Sequence, residues 1–253
     1  MYLSVVVITY NEERNLERCL ASVNGVADEI IVVDSNSTDR TVQIAEEYGA
    51  TVVQQAFLGY GGQKNFANKQ ATNDWILSLD ADEALTPELK NSILAVKQNP
   101  IHNAYHFSRF SNYCGAWIKH SGWYPDIKVR LFNRNKGAWK SEKVHEYWAL
   151  HDSTEKVGNL KGDLLHYTYY TISEQLKQID KYTELAALDA EERGKDCSII
   201  KIWLVPKWTF ITHYIFKLGF LDGYAGYLVC KYIAYYTFIK YSKIRFYAHK
   251  GVK

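Results

Sequence analysis

The sequence predicts an α/β protein: a parallel sheet with helical crossovers over roughly the first 100 residues, a less regular middle, and a helical extension at the C-terminus. Three observations predict it. Short β-branched runs ("LSVVVIT", "EIIVVD", "TVVQQ") alternate with stretches whose apolar residues recur at helical spacing, the pattern of a parallel sheet with right-handed crossovers. The runs are apolar without a polar alternation, as in strands buried on both faces. Finally, the charge divides: residues 198–253 carry nine Lys/Arg, one acid (Asp222) and 15 of the 37 aromatics, whereas residues 1–197 hold 21 basic and 27 acidic residues.

The elements follow in order. "LSVVVIT" is the first strand, and "NEERNLERCLASV" a helix with Leu16, Cys19, Leu20 and Val23 on one face. "EIIVVD" is the second strand, ending in Asp34. "STDRTVQIAEEYGA" is the second helix, with Ser37 or Thr38 as N-cap and Gly49 as its stop. "TVVQQ" is the third strand, and "GGQKNFANKQA" a helix entered through glycines. "DWILSLDADE" is a strand running into acid, and "TPELKNSILAV" a helix capped by Thr86 with Pro87 in its first turn. "AYHFSRF" and "KVRLFNRNKGAWKSEKVHEYW" read as strands with a turn at Asn135-Lys136-Gly137. Thr171 and Glu174 open a long helix as a capping box, and Gly194 ends it. In the tail, Pro206 and the Gly219–Gly226 region mark breaks into two or three short helices.

The 253 residues and 47% hydrophobic content can bury a substantial core. A net charge of +2 gives no whole-chain case for nucleic acid. Cys19, Cys114, Cys197 and Cys230 are far apart, with neither zinc spacing nor a disulfide framework, which fits a reducing compartment. "MYLSVVVITY" lacks a basic n-region and reads as a strand, not a signal peptide. No run reaches about 18 uncharged apolar residues, so a spanning helix is not expected.

The chemistry concentrates at strand ends. In open α/β sheets, ligands bind beyond the carboxyl ends of the strands, where Thr9, Asp34 and the Asp80/Asp82 pair fall. Two carboxylates two residues apart on a regular strand point to one face. Carboxylate and diphosphate oxygens together suit a hard divalent cation such as Mg²⁺ or Mn²⁺; a solvated acidic turn is the other reading. No G-x-G-x-x-G follows the first strand and no P-loop occurs, which argues against a classical dinucleotide or P-loop site. Lys64 in "GYGGQKN" could meet a diphosphate or a base carbonyl. Arg109 and Arg130 could bind phosphate or pair with acids. His102, His106, His120, His151 and His166 show no metal spacing.

"VVVITYNEERNLERCLASV", "IIVVDSNSTDRT", "GQKN" and "ILSLDADE" together resemble the inverting nucleotide-sugar glycosyltransferases of family 2. "GAW…VHE" and "GFLDGYAGY" are similar to one branch, the lipopolysaccharide-core β-glucosyltransferases acting on inner-core heptose. The resemblance implies a GT-A fold, with residues 1–170 as catalytic domain (1–100 donor-binding, 101–170 acceptor half) and 171–253 as a membrane-interfacial helical extension. It implies that Thr9 and Asp34 contact the uridine, Asp34 facing the uracil. Lys64 would lie near base or phosphates, Asp80 would face the ribose, Asp82 would ligate Mg²⁺ or Mn²⁺, and Glu12 would border the donor pocket. Arg130 joins this donor set.

Inversion requires a carboxylate base across the sugar from the leaving diphosphate. "SEKVHEYW" offers Glu142, His145 and Glu146, and "WYPD" offers Asp126. On one strand Glu142 and Glu146 would share a face, with His145 opposite. Glu146 is assigned as base and His145 as metal or phosphate contact; Glu142 and Asp126 stay open as alternatives. Many family members carry an acidic pair where this chain has His-Glu.

The tail mixes Trp and Tyr, which favour the headgroup region, with lysines, worth roughly 1 kcal/mol each near anionic lipid. It reads as an interfacial segment, or as helices packing on the catalytic domain or another subunit. The expected partners are a nucleotide sugar (UDP-hexose, glucose first), a lipid-linked glycan acceptor and an anionic membrane surface, but no nucleic acid. The expected location is the inner face of the bacterial cytoplasmic membrane, as a cytoplasmic peripheral protein. Oligomeric state is not encoded visibly. The rivals are a polyprenyl-phosphate sugar synthase and a non-catalytic adaptor with the same fold.

Overall fold

The structure, a computed structural model, describes residues 1–142 and 145–250. In chain order the elements are β1 (Leu3–Thr9), α1 (Leu16–Ser22), β2 (Glu29–Asp34), α2 (Thr41–Glu47), β3 (Thr51–Gln54) and α3 (Tyr60–Gln70). Next come β4 (Trp75–Asp80), β5 (Glu83–Leu85), α4 (Pro87–Gln98), β6 (Ala104–Tyr113), β7 (Ala116–Trp117) and β8 (Asp126–Asn133). The last are β9 (Gly137–Glu142), β10 (His145–Leu150), β11 (Gly158–Tyr169), α5 (Ile172–Glu192), α6 (Ile199–Ile211) and α7 (Gly223–Ala248). They fall into two compact units, Met1–Phe110 with Asp126–Tyr167, and Ser111–Pro125 with Thr168–Lys253. Residues 111–125 fall in the second unit, with the helices.

In the first unit the strand order is β3-β2-β1-β4-β8-β6-β11-β5. β3, β2, β1 and β4 run parallel, and β8 is antiparallel to β4. The β1 run explains itself. Val5 and Val7 enter one apolar cluster with Leu16, Leu20, Leu77 and Leu89; Val6 and Ile8 enter another with Ile31, Phe132, Trp139 and Trp148. A central strand has no solvent face to make polar, and each such side chain contributes about 1.5–3 kcal/mol by burial. Register puts Thr9 beside Asp34 and Ile8 beside Asp80, so three parallel strands end level.

Two local expectations change. Ser37 and Thr38 do not cap α2, which begins at Thr41 behind Arg40. Ser37 is engaged elsewhere: its amide and hydroxyl both donate to the Asp34 carboxylate. Asp39 takes over, accepting the Thr41 amide at 3.0 Å. The hydroxyl and amide cluster after β2 is thus a turn built around a buried carboxylate, with Asn36 in the left-handed region. The other change concerns "LSLDADE". β4 stops at Asp80, Ala81 and Asp82 form a turn, and β5 starts at Glu83, so the two aspartates do not lie on one regular strand.

β9 and β10 form a separate hairpin in which Glu146 pairs with Ser141 and His145 with Glu142. Glu142 and Glu146 therefore sit on different strands, not on one as the sequence reading has them. Gly137 permits the pairing: a Cβ there would lie 2.3 Å from the Ala149 carbonyl oxygen and 2.4 Å from the Trp148 ring.

In the second unit α5 opens with the capping box of Thr171 and Glu174. Asp222 accepts from the Lys119 and His120 amides at 3.2 and 2.8 Å and meets the His120 ring at 2.8 Å. That carboxylate ties the 111–125 excursion to the helices. The glycines of "GFLDGYAGY" allow close approach, since a Cβ on Gly226 would stand 2.0 Å from the Gly219 carbonyl. Pro206 does not break the tail. α6 runs through it, with only the carbonyl four residues earlier losing its helical donor. The break comes after a π-helical turn at Thr212–Phe216, where Leu218 is left-handed and Gly219 follows. α7 is then a single helix of 26 residues, longer than expected.

Candidate active site

The site is built on the level strand ends of the first unit. Asp34 is fully buried, and its strand partner Thr9 holds a buried hydroxyl with no hydrogen-bond partner among the described residues. An orphaned hydroxyl at the carboxyl end of a central strand is where a ligand's polar group would be received. Beside them, α3 carries the "GQKN" residues, each with a distinct task. Gln63 ties the entry loop together, donating to the Ser35 hydroxyl and the Gln55 carbonyl at 3.2 Å and accepting the Leu58 amide. Asn65 clasps the hairpin, donating to the Trp139 carbonyl at 2.9 Å and accepting its amide at 3.1 Å. That clasp sets β9 and β10 over α3, which brings Lys64 to Glu146.

Lys64 is 1% exposed. Its ammonium lies 2.9 Å from Asp80 and 3.4 Å from Glu146, and 4.7 Å from the Trp139 ring centroid. Asp80 also takes Arg130 at 2.7 Å; the same Arg130 nitrogen reaches Glu83 at 2.8 Å. Glu83 in turn accepts Arg109, which pairs with Asp126 at 2.7 Å. The charges alternate in an unbroken row: Glu146, Lys64, Asp80, Arg130, Glu83, Arg109, Asp126. Burial alone would raise the Asp80 carboxyl; Arg130 first and then Lys64 overcome it and hold the group well below the usual range. Arg130 is held protonated against its burial by Asp80 and Glu83.

Two assigned residues need restating. Arg130 is buried and bonded to two carboxylates, so in this geometry it positions Asp80 and does not present itself to a phosphate. Asp126, the open alternative as base, is held below the usual range: burial opposes ionisation, and Arg109 and then Lys128 outweigh it. Glu12 lies within electrostatic reach of Asp80 and Asp82. Its carboxyl is pushed up to about 7, chiefly by burial, with Asn15 opposing and Asp82, Asp39 and Asp80 adding repulsion.

Asp82 turns away from this row. Its carboxylate lies 3.2 Å from His166 Nε2 on β11, and its carbonyl accepts the Tyr167 amide at 3.0 Å. The side chain of His145, assigned to the metal in sequence, lies outside the described residues, as does that of Glu142. Among the described residues no three His, Cys, Asp or Glu side chains form a ready-made cation cage. The Asp82 carboxylate still fits Mg²⁺ or Mn²⁺, because such ions bind through one or two carboxylates and complete their shell with water and substrate phosphate; His166, 3.2 Å from Asp82, adds a nitrogen donor beside it.

Sequence reasoning missed Glu83 and His166. Glu83 stands in the quoted "DADE", and two conflicting arginines downstream were a signal that a buried acid was needed. His166 had no local spacing to betray it, since β11 brings it to Asp82 across the fold.

The profile of glycosyl transferase family 2 matches residues 4–156. An uncharacterized glycosyltransferase of Rickettsia typhi is 31% identical to this chain, covering 96% of it and 86% of its own length. The lipopolysaccharide core biosynthesis glycosyltransferase LpsC of Rhizobium meliloti is 30% identical over 96% of this chain and 91% of its own. A solved glucosyl-3-phosphoglycerate synthase of Mycobacterium tuberculosis, in complex with Mn²⁺, UDP and glucosyl-3-phosphoglycerate, aligns with 44% of each chain at 24% identity and a TM-score of 0.37, a partial likeness. With its parallel sheet, its acidic turn after β4 and a family match over more than half its length, the chain belongs to glycosyltransferase family 2: it is a glycosyltransferase of GT-A fold.

Proposed function

We propose that this glycosyltransferase moves a hexose, glucose from UDP-glucose first, onto a hydroxyl of a lipid-anchored glycan, with inversion. The inner-core heptose of lipopolysaccharide is the acceptor of choice. The observation that carries the reading is Glu146 held 3.4 Å from Lys64 at the edge of the Asp80 cluster, its side chain one-quarter exposed. Thr9 and Asp34 receive the uridine, and Asp80, fixed by Arg130 and Lys64, meets the ribose. Asp82 and His166 would hold the divalent cation, which supplies charge neutralisation for the departing diphosphate.

Glu146 takes the proton from the acceptor hydroxyl as that oxygen attacks the anomeric carbon. The new glycosidic C–O bond forms while the bond to the diphosphate breaks, and the configuration inverts in one displacement. Lys64, 3.4 Å away, orients Glu146. Support for the acceptor class comes from the relative named for lipopolysaccharide core biosynthesis and from the basic aromatic tail. The enzyme would then act as a cytoplasmic, peripheral protein on the inner face of the bacterial cytoplasmic membrane. A polyprenyl-phosphate sugar synthase would share the donor half but attack with a phosphate oxygen and need no Glu146.

The test is transfer from UDP-glucose to a purified lipopolysaccharide core acceptor, with the anomer read by NMR. An inverted linkage on a heptose hydroxyl supports the reading. A retained configuration, or transfer only to polyprenyl phosphate, overturns it.

A further inference from the structure

Beyond the catalytic unit, α6 breaks the ordinary rule for a surface helix. Apart from Lys201, Lys207 and Thr209 it is apolar, yet none of its residues is buried. A helix of that kind belongs inside a core or against lipid. Ile200, Leu204, Trp208, Ile211 and Ile215 recur four, four, three and four residues apart, which places them in one stripe along α6 and the turn after it. All five are exposed, and Trp203 beside them is 65% exposed. Soluble monomers rarely leave so continuous an apolar strip in water.

We infer that this stripe is a docking face for an anionic lipid surface, on which α6 lies in the plane of the headgroups. The inference rests on the membrane-face reading above and names the surface that makes the contact. The charge pattern selects lipid as occupant. Lys201 and Lys207 interrupt the apolar run of α6, Lys217 follows it, and no Asp or Glu occurs from Ser198 to Leu221. Lys207 stands 5.6 Å from the Trp203 ring, an ammonium and an indole side by side, as suits phosphate above and acyl chain below. A second copy of the chain is a poorer occupant, because a two-fold contact through this stripe would gather the lysines of both copies with no acid of the segment to relieve them. Among the described residues no helix is long and apolar enough to cross a membrane, so lying in the interface is the geometry left to α6.

The experiment is sedimentation of the full chain with phosphatidylcholine vesicles, with and without phosphatidylglycerol. The wild type should partition onto the anionic vesicles and come off as salt is raised. Trp208→Glu with Ile211→Glu should weaken partitioning at least about tenfold while circular dichroism and nucleotide binding stay as in wild type. Quenching of tryptophan fluorescence by brominated lipid, lost in Trp203→Phe with Trp208→Phe, reads the same contact without adding charge. If the wild type binds no vesicle, the membrane reading itself falls, and this face with it. If the wild type binds and both variant pairs bind and are quenched equally well, the face is wrong while the membrane reading survives. A dimer in light scattering that Trp208→Glu disperses, without vesicle binding, would assign the stripe to self-association and overturn the inference.

Discussion

In the first unit charged groups are buried; in the second, apolar groups are exposed. Lys64, Glu83 and Arg130 are almost without solvent contact, whereas Trp203, Trp208 and Phe216 each keep about two-thirds of their surface in water. Both arrangements are unfavourable for an isolated chain. A buried ion costs several kcal/mol unless a partner compensates it, and the alternating row from Glu146 to Asp126 provides that compensation from within. The indoles meet only near neighbours, Trp203 the Lys207 ammonium and Trp208 the Phe216 ring, and stay exposed, so their burial has to come from outside. The first region is therefore organised to hold a shape for chemistry, and the second to meet a surface.

The largest effect should come from breaking the row at its chemical end. Glu146→Gln should lower transfer about 10²–10⁴-fold, the usual range for a general base, while calorimetry finds UDP binding intact. Turnover within tenfold of wild type would remove Glu146 from the mechanism. Breaking the row in the middle should strike stability. Arg130→Met leaves Asp80 and Glu83 buried without their shared cation and should destabilise by about 3–5 kcal/mol in urea unfolding. Gly137→Ala should cost about 1–3 kcal/mol, since its Cβ would overlap the Ala149 carbonyl and the hairpin must shift, carrying Glu146 with it. By contrast Trp208→Ser, at an exposed position, should stay within about 0.5 kcal/mol of wild type in the absence of vesicles. A large loss there would mean that α6 is a packed structural helix, and the contrast between the regions would collapse.

Titration sharpens the same contrast inside the first unit, because two carboxylates act with opposite sign. Asp80 is depressed in the fold, so its contribution to stability is present above the ordinary aspartate range and lost as pH falls below about 4. Glu12 is raised to about 7, so its contribution is fully present below the ordinary glutamate range and is lost as pH rises through about 7. In chelator, Glu12→Gln should therefore gain in Tm relative to wild type between pH 5 and pH 8. A difference that does not change with pH would contradict the placement of Glu12 beside the acids.

The fold was legible where its signals are local. The β-branched runs, the Thr86 cap and the Thr171–Glu174 box each act within a few residues, and the structure forms them where the pattern lies. What escaped depends on distant partners. Ser37 looks like a cap until Asp34 claims it, and Asp80 and Asp82 look like one face until the strand ends between them. His166 becomes Asp82's neighbour only through β11. Pro206 reads as a stop, yet one missing helical bond was not enough to end an apolar helix extended by the turn beyond it.

The most direct measurement is release of nucleoside diphosphate from a panel of nucleotide sugars, with Mg²⁺, Mn²⁺ or chelator. The account predicts slow release from a UDP-hexose in the presence of the cation, abolished by chelator and by Asp82→Ala and strongly reduced by His166→Ala. Release that persists undiminished in chelator and in both variants would contradict a cation held at Asp82 and His166, and with it the metal-assisted displacement proposed for this enzyme.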